Sequence, residues 1–237
     1  MNALFLRFAG PLQSWAGPRI TGNHVHTREV PSRSGALGVV AAALGAPQNN
    51  WPDWIHEIDL QLRVERPGVV TKDYQTINPR GANQAFAERI WVASGNKGRA
   101  PTSFTPDAQK GTSVVIRSYL AGAEFLVAVS HNERLDEIAR AFANPSFSPF
   151  LGRRAFPPAF PFLLGVGPHS LLDEAPTAAL GAERPTEGTR HLAIHVLDGE
   201  HEQLPSRSVP AEIRPLRERL SWWSEHATIP ERVPAGS

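Results

Sequence analysis

"ALFLRFAGPLQSWAG", residues Ala3 to Gly17, begins with alternating large side chains and then breaks into glycine, proline, glutamine and tryptophan. Leu4, Leu6 and Phe8 fall on one face and Phe5 and Arg7 on the other, so Ala3 to Phe8 reads as a strand. The loop that follows carries far more special residues than a simple turn needs. Beyond it the periodicity changes: Leu37, Val40, Ala41 and Leu44 stand at i, i+3, i+4 and i+7, the spacing of a short amphipathic helix. Ser32 or Ser34 is placed to cap its start and Gly45 to end it.

Working outward, Ile58 to Arg66 alternates again as a half-buried strand, with Ile58, Leu60, Leu62 and Val64 against Asp59, Gln61, Arg63 and Glu65. Glu124 to Ser130 reads as a third strand. Leu135, Ile138, Ala139 and Phe142 mark a second helix that starts near Asn132 and stops at Asn144-Pro145. Phe160 to Val166 supplies a fourth strand. The order strand, helix, strand, strand, helix, strand predicts an α+β, ferredoxin-like fold, the scaffold of the RNA-recognition motif. That scaffold by itself names no function.

Two features depart from a minimal version of the fold. Residues 67–122 form a 56-residue insertion between the second and third strands, with seven Lys or Arg against three Asp or Glu. Such a connection is far longer than the few residues typical of a compact domain. After residue 168 the signals weaken: a helix over Ser170 to Leu180, a strand over His191 to Leu197, and extended segments up to Trp222 and Trp223. The expected division is therefore a ferredoxin-like domain over 1–168, including the insertion 67–122, and a smaller, mostly β extension over 169–237.

The chain has 237 residues, 41% of them hydrophobic, and no cysteine. That length builds one large core or two modest ones. No apolar run approaches the roughly 20 residues that cross a bilayer, and a signal-peptide order is missing, so a cytoplasmic protein without a membrane partner is expected. Without cysteine, thiolate nucleophiles, disulfides and cysteine zinc sites drop out. Residues 1–117 hold 13 basic against 8 acidic residues, whereas 118–237 hold 11 against 15, which makes the first half the candidate anion-facing half. Lys72, Lys97 and Lys110 are the only lysines; the other 21 basic residues are arginine, suited to bidentate phosphate contacts, although a GC-rich genome yields the same bias.

Candidate binding residues gather in four places. Ser32, Arg33 and Ser34 stand at the mouth of the first helix, where free N–H groups and the helix dipole attract anions, or where Ser32 simply caps the helix. Arg7, Gln13, Trp15, Arg19 and Arg28 flank that mouth; Trp15 either stacks on a base or plugs the local core. "KDYQTINPRGANQAF", Lys72 to Phe86, and "NKGRAPTSF", with Lys97 and Arg99, read as a basic hairpin over a nucleic-acid backbone or as a solvated loop; Lys72, Tyr74, Arg80 and Arg99 are its candidates. "SFSPFLGRRAFPPAFPF", Ser146 to Phe162, sets Arg153 and Arg154 on a proline-stiffened turn able to hold a phosphate or a partner carboxylate. Phe5 is the one stacking aromatic on an open sheet face, and "AEFLVAVSH" on the third strand lacks the basic and aromatic run of an ordinary RNA-recognition motif.

His24-x-His26 and His191-x3-His195 are weak metal signals without a carboxylate set beside them, so no metal and no cofactor is expected. No phosphate-binding loop, nucleophile elbow or dinucleotide fingerprint is present. Metal-free RNA cleavage would need a base and an acid, for which His24, His26, Lys72 and Tyr74 are candidates whose spacing does not demand it.

"LRFAGPLQSWAG", "VPSRSGALGVVAAALG", "KDYQTI" and "PFLGRRAFP", in that order and at these separations, resemble the fifth family of CRISPR-associated proteins in its subtype I-E form. The likeness runs to about residue 165. It implies a modified RNA-recognition fold with an inserted thumb, a non-catalytic subunit that caps the 5′ handle of the CRISPR RNA in the Cascade complex for antiviral defence. It also implies the backbone CasC and large CasA subunits as neighbours, and target DNA reached only through the complex. The alternative from another class is a metal-independent endoribonuclease that processes repeat RNA, the role of a relative in another subtype.

Overall fold

The computed structural model describes residues 1–15, 24–48, 50–77, 91–93, 95–98, 113–178, 187–198 and 204–231. Its main sheet has six strands, and every neighbouring pair is antiparallel. In chain order these are β1 (Asn2–Ala9), β4 (Asp59–Arg66), β7 (Glu124–Ser130), β8 (Leu163–Pro168), β9 (Thr189–Val196) and β10 (Ser206–Glu212). Across the sheet they run in the order β10-β9-β4-β7-β1-β8; the first four in the chain are the strands expected from the sequence, and β1 lies between β7 and the edge strand β8. A second sheet joins β2 (Leu12–Gln13) and β3 (His24–Val25) to the long strands β5 (Val69–Ile77) and β6 (Ser113–Ala121). The insertion thus contributes a two-stranded ribbon paired over nine residues.

Helix α1 (Arg33–Leu44) starts where the side chain predicts: Ser32 is its N-cap, with Oγ accepting from the Gly35 N–H at 3.2 Å. It stops at Gly45, whose φ of +78° lets its N–H turn back to the Ala41 and Ala42 carbonyls. Helix α2 (Leu135–Ala143) buries Ile138, Ala139 and Phe142 and ends before Pro145. Both helices cover the sheet face that carries Leu4, Leu6, Phe8, Leu60 and Leu62.

The opposite face of the sheet is closed, contrary to the open face expected from sequence. Phe5 is fully buried there, with its ring 4.9 Å from Trp223, among Leu164, Leu171, Leu192 and Val209. Trp223 belongs to helix α4 (Leu216–His226), so the extended segment expected around Trp222-Trp223 is helical instead. The physical reason is a 3.6-residue period: Leu216, Leu220 and Trp223 stand at i, i+4 and i+7. The helix expected over Ser170 to Leu180 shrinks to α3 (Leu171–Glu174), with Pro176 shortly after its end. Strands β9 and β10 extend the main sheet beyond β4. This cover explains why Arg63 and Glu65, on a strand expected to be half-buried, are 0% and 1% exposed. Among the described residues no helix is long and apolar enough to cross a membrane.

Candidate nucleic-acid interface

The segment Ser14–Trp15 is the hub around which three of the sequence motifs meet. The Ser14 N–H donates to the Leu151 carbonyl at 3.1 Å, which fixes the loop bearing Arg153 and Arg154. Next to that bond Gly152 has φ +85°, and a Cβ there would collide with the Ser14 carbonyl. On the other side, the Trp15 N–H donates to Thr27 Oγ1 at 2.9 Å and the Arg28 N–H to the Trp15 carbonyl at 3.1 Å. The indole itself lies on the mouth of α1, where a Cβ on Gly35 would come within 2.9 Å of the ring. Glycine at 35 and 152 therefore lets the opening loop dock against both the helix and the arginine loop.

Trp15 plays this part from inside. It is 1% exposed, stacks on Phe8 with centroids 5.6 Å apart, and donates its indole N–H to Gln13 Oε1. Gln13 is equally buried and gives its amide to the Phe8 and Ala123 carbonyls. In this conformation neither side chain faces outward. Arg7 is likewise buried: its Nε donates to Glu124 at 2.8 Å, and Arg219 on α4 reaches the same carboxylate at 2.8 Å. Arg33 spends its guanidinium on three carbonyls, Leu197, His56 and Ile58, at 2.7 to 2.9 Å. That geometry ties the start of α1 to the segments flanking β4, and it leaves at the helix mouth the exposed Ser34, whose hydroxyl lies 3.4 Å from that of the Ser32 cap.

The cations left for an external anion are fewer and differently placed. The side chains of Arg28 and Arg154 have no hydrogen bond or ion pair among the described residues. Arg153 lies over the Tyr119 ring at 5.2 Å, and Tyr119 packs edge-on against Phe156. Lys72 and Tyr74 are exposed on the ribbon, Tyr74 by 68%. Arg19, Arg80 and Arg99 lie outside the described residues.

Register shows that these residues occupy two faces of the ribbon. Thr71 faces Tyr119, Asp73 faces Arg117 and Gln75 faces Val115, so Tyr119, Asp73 and Arg117 share the face over which Arg153 lies. The Gln75 amide confirms the grouping by donating to Asp73 at 2.8 Å and to the Tyr119 hydroxyl at 3.4 Å. Lys72 pairs with Ser118, and Tyr74 and His24 both pair with Ile116, which puts them on the reverse face. The imidazoles of His24 and His26 stand together, 5.7 Å apart.

The model of the family described as CRISPR-associated protein (Cas_Cas5) matches residues 3–225. The chain belongs to the Cas5 family. Of similar proteins, the CRISPR system Cascade subunit CasD of Escherichia coli (strain K12) is 28% identical over 182 residues, covering 68% of this chain and 70% of that one. Among solved structures, a chain of a CRISPR RNA-guided surveillance complex is 28% identical with a TM-score of 0.64, covering 94% of this chain and 100% of that one. A second, described as a crystal structure of a Cas protein, shares the fold at 22% identity and a TM-score of 0.50, over 92% and 96% of the two chains.

Two features of this Cas5 chain escape a reading of the sequence. The Arg7–Glu124–Arg219 cluster joins residues more than 90 positions apart, and no local spacing announces it. Burial alone would push the Glu124 carboxyl up, but Arg219 and Arg7 outweigh it and hold the carboxyl at about 2. The other is Arg117, whose buried Nε has no hydrogen-bond partner among the described residues. Among the described residues no cluster of three histidine or carboxylate side chains is placed to hold a metal ion.

Proposed function

We propose that this Cas5 chain is a non-catalytic RNA-binding subunit of a Cascade-type, subtype I-E surveillance complex that caps the 5′ handle of the CRISPR RNA in antiviral defence. Supporting this are the family match, a relative named as a Cascade subunit, and the matching chain from an RNA-guided complex. Its domain is a modified RNA-recognition, ferredoxin-like unit over 1–168. The order β8-β1-β7-β4 with α1 and α2 as crossovers supports that reading. The ribbon is the base of a thumb spanning 67–122, and 169–237 is an extension that closes the second face of the sheet. The complex keeps the chain in the cytoplasm, beside CasC and CasA, and brings it to target DNA only indirectly.

The observation that carries the proposal is the Ser14–Trp15 hub. One segment fixes the stretch bearing Arg28, the helix mouth with Ser34, and the turn with Arg153 and Arg154, so these polar groups border one junction. RNA phosphates approach there, while the face closed by α4 is unavailable for base stacking. The test is co-purification of the Arg153→Ala/Arg154→Ala variant with the other subunits and CRISPR RNA over a salt series. We expect weaker RNA retention and a salt slope reduced by one to two phosphate contacts. Unchanged retention and slope refute the handle site.

A further inference from the structure

We propose that the cavity between α4 and the main sheet, walled by Arg63, Glu65, Glu124 and Arg219, is a binding site for one chloride-sized monovalent anion that fastens α4 to the sheet. This site does not rest on the RNA-binding reading above, and either can fail without the other.

Three guanidinium groups, those of Arg7, Arg63 and Arg219, are buried here against only two buried carboxylates, Glu65 and Glu124, and all five side chains line the cavity. Each carboxylate oxygen already faces a guanidinium. Glu124 Oε1 accepts from Arg7 Nε and from Arg219 Nη2, both at 2.8 Å, and its Oε2 stands 3.5 Å from the half-exposed Arg66. Glu65 Oε1 accepts from Arg63 Nε at 2.6 Å, and its Oε2, without a hydrogen bond, stands 3.7 Å from Arg219 Nη2. The buried cluster therefore holds one positive charge more than its carboxylates balance, in a place where solvent screens it poorly.

Two donors are left over, both on side chains that are held from other directions. Arg63 gives Nε to Glu65 and Nη1 to the Leu172 carbonyl on α3 at 2.8 Å, and its buried Nη2 has no hydrogen-bond partner among the described residues. Arg219 gives Nη2 to Glu124, and its buried Nε likewise has none. The cavity they line measures about 10 Å³, room for one water-sized particle, with Leu164, Leu220 and Trp223 completing the wall. Phosphate, sulfate and carboxylate groups are too large for it. A water would accept from both N–H groups and donate to Glu65 Oε2, but it would leave the excess charge unbalanced. A single-atom anion accepts from both donors and cancels that charge, so burial favours it over water. Because Arg63 stands on β4 and Arg219 on α4, the ion bridges strand and helix and helps to close the sheet face of Phe5.

The test uses the full chain. Its Tm is followed in sodium chloride and in sodium gluconate at equal ionic strength, and crystals of the same chain are soaked in bromide. Gluconate is too large for the cavity, and matched ionic strength removes screening as a cause. The expected result is a Tm that rises by about 3–5 °C for each tenfold increase in chloride above its dissociation constant, with no such rise in gluconate. One anomalous bromide peak should lie within hydrogen-bond distance of Arg63 Nη2 and Arg219 Nε. Arg63→Gln removes the excess charge and one donor, so its Tm should be the same in both salts; where that variant does not fold, the wild-type comparison decides. Equal wild-type Tm curves in the two salts overturn the site. A bromide peak without the Tm response marks an adventitious ion only and overturns it too, as does a peak without anomalous signal, which is a water. A folded Arg63→Gln chain that still responds to chloride places the ion elsewhere and also overturns it.

Discussion

At Gly152 the backbone has φ +85° and its Cα faces the Ser14 carbonyl, so a methyl group there meets both strain and a collision. Gly152→Ala should lower stability by about 2 kcal/mol or more and loosen the arginine turn, read as a fall in Tm together with lost RNA retention. Arg33 makes a different prediction. Its three carbonyl bonds mean that Arg33→Ala destabilises the chain by about 1–3 kcal/mol but leaves the RNA salt slope as it was, in a denaturant titration paired with the salt series. At sequence level Arg33 belongs with the helix-mouth cations, because an arginine in the first helical turn looks the same whether it meets phosphate or the chain's own carbonyls. Ser32 was legible, since capping is local; the target of Arg33, up to 164 positions away, was not. Glu124 sets the acid limit. Its folded value of about 2 lies below the ordinary 4.5, so its contribution is full above pH 4.5 and disappears as the pH falls through about 2. Trp fluorescence during acid titration should show this loss, and Glu124→Gln should start less stable with a flatter slope across that window.

Among the elements, α4 does what no sequence expectation assigned to it. Trp223 and Leu220 pack against the sheet face of Phe5 and Leu164, and Arg219 completes the buried cluster with Glu124. Deleting residues 216–237 should remove several kcal/mol of apolar burial, expose that face to a hydrophobic dye, and leave Arg7 and Glu124 without their third partner. A truncated chain with unchanged Tm would contradict the packing described. The elements that were legible carry their signal locally: β1 and β4 alternate, α1 and α2 place apolar residues at helical spacing, and β7 is a short apolar run bounded by polar residues. The C-terminal helix also has its stripe, but charged residues surround Leu216, Leu220 and Trp223, and the stripe gains meaning only against the sheet. The ribbon strands β5 and β6 were hidden in the insertion because both faces carry polar residues, so alternation of hydrophobicity is weak there.

For the molecule as a whole, a net charge of +1 excludes a general electrostatic grip on nucleic acid. Affinity has to come from a few placed groups, and the fold places them by docking one loop between a helix and a turn. Nothing in that arrangement requires strand scission: purified chain incubated with repeat RNA in chelator should leave the RNA intact, and specific cleavage abolished by His26→Gln would instead establish the endoribonuclease. The most direct measurement attaches a photoreactive group to the 5′-terminal nucleotide of the CRISPR RNA in the assembled complex and identifies the crosslinked peptide. The account predicts crosslinks within residues 24–34 or 150–156. Crosslinks confined to other subunits, or to the face covered by α4, would contradict it.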